Sequence, residues 1–155
     1  MLHVAGRDAL VFLHDNRVEA IDCATGQSSV FWQPPPGVDA GLSFPKVSPD
    51  GSKVALTQGY FLYVLDARSG AVLAKIAADD DPDRRQFGAF WFAPDGRILY
   101  LATGYGDHTG GTNLREMSAW GVTNSYLYAV NADGTGRRML SNRAIGLDVV
   151  TVVER

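Results

Sequence analysis

Two short turn sequences recur along this chain at nearly constant spacing. Ser48-Pro49-Asp50-Gly51 returns 45 residues later as Ala93-Pro94-Asp95-Gly96. A second turn sequence, Asp66-Ala67-Arg68-Ser69-Gly70, has a copy 44 residues earlier, at Asp22-Cys23-Ala24-Thr25-Gly26, and a related one later, at Asn131-Ala132-Asp133-Gly134. A repeat of about 40–45 residues built from short strands is typical of a propeller blade. The spacing therefore predicts an all-β fold of β-propeller blades, each a meander of four antiparallel strands.

The segments between the turns have the composition of strands. They are short and rich in aromatic and β-branched residues, which suit a pleated surface. Pro49 and Gly51 favour a tight turn between the first two strands of the second repeat. The four strands predicted for that repeat are Leu42–Val47, Lys53–Thr57, Tyr60–Asp66 and Ala71–Ile76.

The first repeat is one strand short when it is aligned with the second. Three strands are predicted there, Ala9–His14, Arg17–Asp22 and Ser28–Trp32, and a first strand would have to precede Met1. At the other end, Asp148–Val153 follows the third repeat where another first strand is expected. The prediction is a single domain over 1–155, with three blade equivalents at about 1–37, 38–83 and 84–146, and one inner strand displaced to the C-terminal 147–155.

These repeats resemble those of the TolB-like and WD40-like propellers. The resemblance is carried by the sequence from Tyr126 to Arg138 and by the Pro-Asp-Gly turns ahead of their strands. Because these are turn and core residues, the resemblance implies a fold and transfers no catalytic residue. Its family includes periplasmic partner-binding proteins, propeller domains of serine peptidases and some polysaccharide lyases, but no Gly-x-Ser-x-Gly nucleophile motif occurs in this sequence.

Three blades are too few to close a ring, because propellers have about four to eight. In one arrangement two identical chains form a six-bladed ring, either by exchanging the strand Asp148–Val153 or by pairing blades face to face. In a second the chain is a fragment of a longer propeller. In a third it is a self-contained open structure.

Composition excludes several classes of partner. The chain has a net charge of −3 without basic clusters, so we expect neither nucleic acid nor a membrane surface as a partner. Cys23 is the only cysteine, which rules out an intrachain disulfide. The N-terminus has no signal-peptide pattern, so the expected location is the cytoplasm, or the periplasm or exterior if a leader was removed.

The long connections all fall at one end of the predicted blades. In a four-stranded meander the second turn and the crossover to the next blade share an end, and here these connections are 33–40, 77–87, 104–125 and 141–146. We call this end the long-loop face, and we expect binding there because long loops on a rigid scaffold usually carry function. Within 104–125, Asn113 and Glu116 predict the start of a short helix near 114–120, with Met117 and Trp120 on one side of it.

The candidate binding residues lie on these loops. They are Asp107, His108, Met117, Trp120, Arg84 and Arg85. No metal site is predicted, because Asp107 and His108 supply too few ligands, and no cofactor is predicted either. The preferred hypothesis is a non-catalytic module that binds a protein partner, a ligand or a second copy of itself. The alternative is the propeller part of a hydrolase or polysaccharide lyase with a site at the ring centre.

Overall fold

The computed structural model describes residues 2–4, 8–36, 41–58, 60–78, 85–105 and 123–141. Within these ranges the chain is entirely β, with twelve strands in three antiparallel sheets of four. The strand order within each sheet follows the sequence, so each sheet is a meander. The predicted all-β fold built from four-stranded propeller blades is confirmed. In the same ranges no helix is long and apolar enough to span a membrane.

Each sheet corresponds to one sequence repeat, and we number the blades in chain order. Blade 1 contains β1 (Leu2–Val4), β2 (Ala9–His14), β3 (Arg17–Asp22) and β4 (Ser28–Trp32). Blade 2 contains β5 (Lys46–Val47), β6 (Lys53–Gln58), β7 (Phe61–Asp66) and β8 (Val72–Ala77). Blade 3 contains β9 (Arg85–Phe92), β10 (Ile98–Tyr105), β11 (Thr123–Val130) and β12 (Arg138–Ser141). The first strands β1, β5 and β9 contact one another in turn, so they form the inner edge of the array.

The structure of blade 1 contradicts one detail of the sequence-based strand prediction. Leu2–Val4 pairs antiparallel with the start of β2, from Leu2 opposite Val11 to Val4 opposite Ala9. The first-strand position is therefore occupied, whereas the sequence alignment had placed that strand before Met1. Val4 and Ala9, which pair with each other, are only five positions apart in the chain. The predicted C-terminal strand Asp148–Val153 and the predicted helix near 114–120 lie outside the described residues.

Two apolar cores lie between the blades, one on each side of blade 2. Alternate residues of β6 and β7 point to opposite sides: Val54 and Leu65 belong to the core shared with blade 1, and Ala55 and Val64 to the core shared with blade 3. Both strands are consequently buried on two faces, which explains why their sequences are almost continuously apolar. Blade 2 is therefore the centre of the described molecule.

The two junctions between blades also contain specific contacts. At the first, the rings of Trp32 and Tyr63 lie 5.1 Å apart, centroid to centroid. At the second, the hydroxyl of Tyr100 donates a hydrogen bond to the carbonyl of Ala78 at 3.2 Å. Arg137 of blade 3 also donates, through Nη2, to the carbonyl of Ala77 at 2.9 Å. Because these bonds end on backbone carbonyls of blade 2, they fix the relative position of neighbouring blades.

A β-bulge recurs in the first strands of blades 2 and 3. In blade 2, Leu42 bridges Gln58 while Lys46 pairs with Ala55, so four steps along one strand match three along the other. In blade 3, Phe87 pairs with Ala102 and Phe90 with Tyr100, which is the same irregularity. Phe44, inside the first bulge, is 78% exposed. Bulges re-aim side chains, and this one places an aromatic ring in solvent on the inner edge.

Candidate functional site

The end of the blades opposite the long-loop face uses its polar groups internally. The Asp22 carboxylate accepts hydrogen bonds from the backbone N–H groups of Ala24 and Thr25, and Asp66 does the same for Arg68 and Ser69. Hydrogen bonds from the Ser69 hydroxyl and N–H hold the pKa of Asp66 below its ordinary value. These carboxylates close their own turns, which leaves them little capacity for a ligand.

The Pro-Asp-Gly turns at the same end are built in the same way. Asp50 accepts from the Ser48 hydroxyl at 2.6 Å and from the Ser52 N–H at 3.0 Å. The hydroxyl of Ser48 is the main reason why the pKa of Asp50 lies well below its ordinary value. Asp95 accepts from the N–H and the guanidinium of Arg97, and these bonds lower its pKa as well. The turn carboxylates at this end are therefore hydrogen-bonded within their own turns.

The long-loop face has a different character in its described part. The strands β2 and β6 end there, at His14 and Gln58, and β9 begins there. In blade 1 the reversal is a two-residue hairpin whose central residues, Asp15 and Asn16, both have positive φ, of 45° and 57°. Short polar residues tolerate that conformation, which favours a tight hairpin matching the strand twist.

A charged cluster lies at the blade 1 corner of this face. Glu19 accepts from Arg17 Nε at 2.8 Å and lies 3.2 Å from His14 Nδ1. Its carboxylate is largely buried, with only 10% of the side chain exposed. The guanidinium of Arg17, and then His14, hold the pKa of Glu19 below its ordinary value, so the group is charged at neutral pH.

Gln58 is the second unexpected feature of the long-loop face. It is 2% exposed, and neither its Nε2 nor its Oε1 has a hydrogen-bond partner. Nearby, Thr57 donates its N–H to the Ser43 hydroxyl at 2.8 Å, while Ser43 donates its own N–H to the Thr57 carbonyl. A buried amide without hydrogen-bond partners costs free energy, so Gln58 destabilises the fold at a position beside the bulge.

Of the six sequence-predicted binding residues, only Arg85 lies in the described part of the chain. Asp107, His108, Met117, Trp120 and Arg84 lie outside the described residues. Arg85 is the first residue of β9, where its backbone pairs with Gly104. Across the part of the chain that the structure describes, no group of three or more His, Cys, Asp or Glu residues could hold a metal ion.

Sequence reasoning did not identify the residues that the structure makes notable on this face. His14, Arg17 and Glu19 flank the hairpin, and the alternation of charged Arg17 and Glu19 with apolar Val18 and Ala20 was an available signal. Gln58 had no such signal, because its place before Gly59 suggested an exposed turn. Phe44 was predicted inside a continuous strand, and the bulge that exposes it is visible only in the pairing with β6.

Comparison with known proteins supports the fold. No family model matches the chain, and no curated protein matches it. Among solved structures it is similar to an oligogalacturonate lyase in complex with manganese, a TolB-like β-propeller, with a TM-score of 0.64 and 12% identity over 92% of this chain. It is also similar to a eukaryotic initiation factor, with a TM-score of 0.53 and 14% identity over 89% of this chain.

This chain matches only a part of each of these two proteins. The matched region covers 39% of the lyase chain and 29% of the initiation factor chain. At identities this low the similarity shows the propeller-like architecture alone. Role, substrate and partners have to be argued from the residues of this chain.

Proposed function

We propose that this chain is a non-catalytic propeller module that binds a protein partner or ligand through its long-loop face. The observation that carries this proposal is the contrast between the two ends of the blades. The turn carboxylates Asp22, Asp50, Asp66 and Asp95 all bond to their own turns. The opposite end combines long connections with an exposed aromatic ring and a charged cluster. Two copies of three blades would present six such ends on one side of a ring.

Phe44 and Tyr60 give the proposed surface its described aromatic content. They are 78% and 39% exposed, and both lie toward the long-loop end, Phe44 on the inner edge and Tyr60 in the turn before β7. Lys75, on the outer strand β8, lies over another ring, with Nζ 3.9 Å from the centroid of Phe61. Exposed aromatic rings suit recognition of a peptide with apolar side chains.

The test uses a displayed random peptide library selected on the intact chain. The affinity of each selected peptide is measured by calorimetry for the wild type and for Phe44→Ser and Tyr60→Ser. Arg68→Ser, at the end opposite the long-loop face, is the matched control. We expect affinity to fall about tenfold for the first two variants and to stay unchanged for the control. Selected peptides that lose affinity only with Arg68→Ser would place binding at the wrong end and overturn the proposal.

The enzyme alternative has a direct test. The lyase to which this chain is similar in fold contains manganese, so the probe is oligogalacturonate with and without Mn²⁺. An eliminating enzyme would produce a new carbon–carbon double bond, which is followed by ultraviolet absorbance. We expect no product. A manganese-dependent rise in absorbance would instead establish the lyase alternative.

A further inference from the structure

The side-chain amide of Gln58 lies at the junction between blades 1 and 2. Gln58 ends β6, and its side chain shares a face with Val54 and Leu56, which belong to the core shared with blade 1. Leu42 and Phe61, its neighbours on the two flanking strands, pack against the same core. The amide is therefore held between two blades, beside the chain reversal at the long-loop face.

The sequence repeat shows how blades 1 and 2 differ at this position. His14 lies 44 residues before Gln58 and likewise ends the second strand of its blade. Its Nδ1 lies 3.2 Å from the carboxylate of Glu19, so it has a partner within its own blade. The residue 44 positions after Glu19 is Tyr63, whose ring packs on Trp32 with 5.1 Å between centroids. Blade 2 thus keeps a polar side chain here but has an aromatic ring in place of its partner.

The surroundings of the amide are apolar and aromatic. Phe61 lies directly across the ladder from Gln58 and is half-buried, and Lys75 Nζ lies 3.9 Å from the centroid of the Phe61 ring. Because a partly exposed ring adjoins it, the buried amide lies just beneath the surface of the long-loop face. Apolar walls with a few placed polar groups are typical of ligand sites.

We propose that Gln58 binds a carboxamide, namely the side chain of an Asn or Gln residue in a partner peptide, which enters between Leu42 and Phe61. A primary amide has a donor and an acceptor side by side, so two of them can pair head to head. Nε2 of Gln58 donates to the carbonyl of the peptide side chain, and the N–H of that side chain donates to Oε1. One group thereby satisfies both unpartnered atoms, while the Phe61 ring turns aside to admit it. The inference deepens the proposed function, on which it rests.

The donor and acceptor of Gln58 exclude other peptide side chains. A carboxylate has no donor for Oε1 and would bring a charge into an apolar junction. A Leu or Met side chain would fill the space but leave both polar atoms of Gln58 unpaired. A site built to hydrogen-bond one group strongly rejects analogues that lack it. We therefore expect selection for Asn or Gln over Asp, Glu and Leu in the peptide.

A binding role and a packing role of Gln58 predict different results for one variant. The unpaired amide lowers the stability of the free protein, a cost that proteins retain at functional sites. Gln58→Met removes this cost, so the melting temperature should rise. It also removes the amide, so peptide affinity should fall. A packing role would instead lower both quantities or leave the affinity unchanged.

The experiment measures the affinity of the library-selected peptides for the intact chain by calorimetry. Replacing their Asn or Gln residue by Leu should weaken binding to the wild type at least about tenfold, which corresponds to about 1.4 kcal/mol. Gln58→Met should lose the same factor, and the two changes together should lose little more, because the two amides act as a pair. Gln27→Met, the same substitution at an exposed glutamine, is the matched control and should keep the wild-type affinity.

A second probe, benzamide, does not depend on the peptides. It is titrated into the isotope-labelled chain, and NMR follows the side-chain amide signals that Gln58→Met removes. We expect benzamide to shift these signals and methyl benzoate, which has no N–H, to leave them in place; signals that benzamide does not shift overturn the site. Peptides that need Phe44 and Tyr60 but not Gln58 also overturn the site and leave the proposed function intact. A benzamide shift without any selected peptide supports the site and contradicts the proposed function.

Discussion

Gly70 is a residue at which blades 1 and 2 approach each other closely. It has a φ of +73°, and a Cβ added to it would collide with the backbone carbonyl of Phe31 in blade 1. Gly26 occupies the matching turn of blade 1 with a φ of +70°, but an added Cβ there meets nothing within 4 Å. Substitutions at these two glycines therefore separate the cost of the left-handed backbone conformation from the cost of the contact between blades.

We expect Gly26→Ala to lower the free energy of unfolding by about 1 kcal/mol, the cost of a side chain in the left-handed region. Gly70→Ala should cost about 1–3 kcal/mol more, because the blades must also separate. Urea denaturation of both variants provides the measurement. Equal losses of stability in the two variants would show that the close approach of Gly70 to Phe31 does not affect the free energy of unfolding.

Gln58 is a residue whose replacement should help the fold. Gln58→Met retains the length of the side chain and removes two buried polar atoms without partners. We expect the free energy of unfolding to rise by about 1 kcal/mol, whereas Gln58→Ala should lower it by leaving a cavity. Thermal melts of the two variants decide the point, and a loss of stability in Gln58→Met would mean that the amide is satisfied in solution.

At the scale of elements, the short turns tie stability to pH. Hydrogen bonds hold the pKa of Asp50 below its ordinary value of 3.8, and the pKa values of Asp66, Asp95 and Asp133 are also lowered. Each carboxylate therefore stabilises the fold fully above pH 3.8, and the stabilisation is lost as the pH falls through the lower pKa of the folded state.

The corresponding variants are Asp50→Ala and Asp50→Asn, compared with the wild type by urea denaturation between pH 7 and pH 2. Below about pH 4 we expect the wild type to lose stability more steeply than either variant, because neither replacement titrates. Asp50→Asn keeps an acceptor oxygen and should be the more stable variant at pH 7. Parallel pH profiles for all three proteins would contradict the assignment.

The elements also show where sequence reasoning succeeds. The strands Ala9–His14, Arg17–Asp22 and Ser28–Trp32 were predicted with their observed bounds, because turn residues mark both ends of each. The first strand of blade 2 was predicted from Leu42 to Val47, and its ladder is interrupted by the bulge at Phe44. Pairing irregularities depend on a neighbouring strand, so a single strand's sequence does not reveal them.

At the scale of the whole molecule, the architecture was predictable and the candidate site was not. Repeat spacing and turn chemistry specify blades, because each blade is local in sequence. The buried amide of Gln58 lies where separate segments meet, so it leaves only a weak trace in the order of residues. The Glu19 cluster is local to one hairpin, and its alternating charges were an available signal.

The meander order of each sheet has a consequence for folding kinetics. Every backbone ladder of the three sheets forms between strands adjacent in the chain, so each blade can form before the next, and only the closure between β10 and β11 spans a long segment. The strands β6 and β7 become protected only when both neighbours have docked. Amide hydrogen exchange should therefore be slowest in Val54–Leu56 and Leu62–Leu65 and faster in β2 and β11, a gradient that mass spectrometry of exchanged peptides would detect.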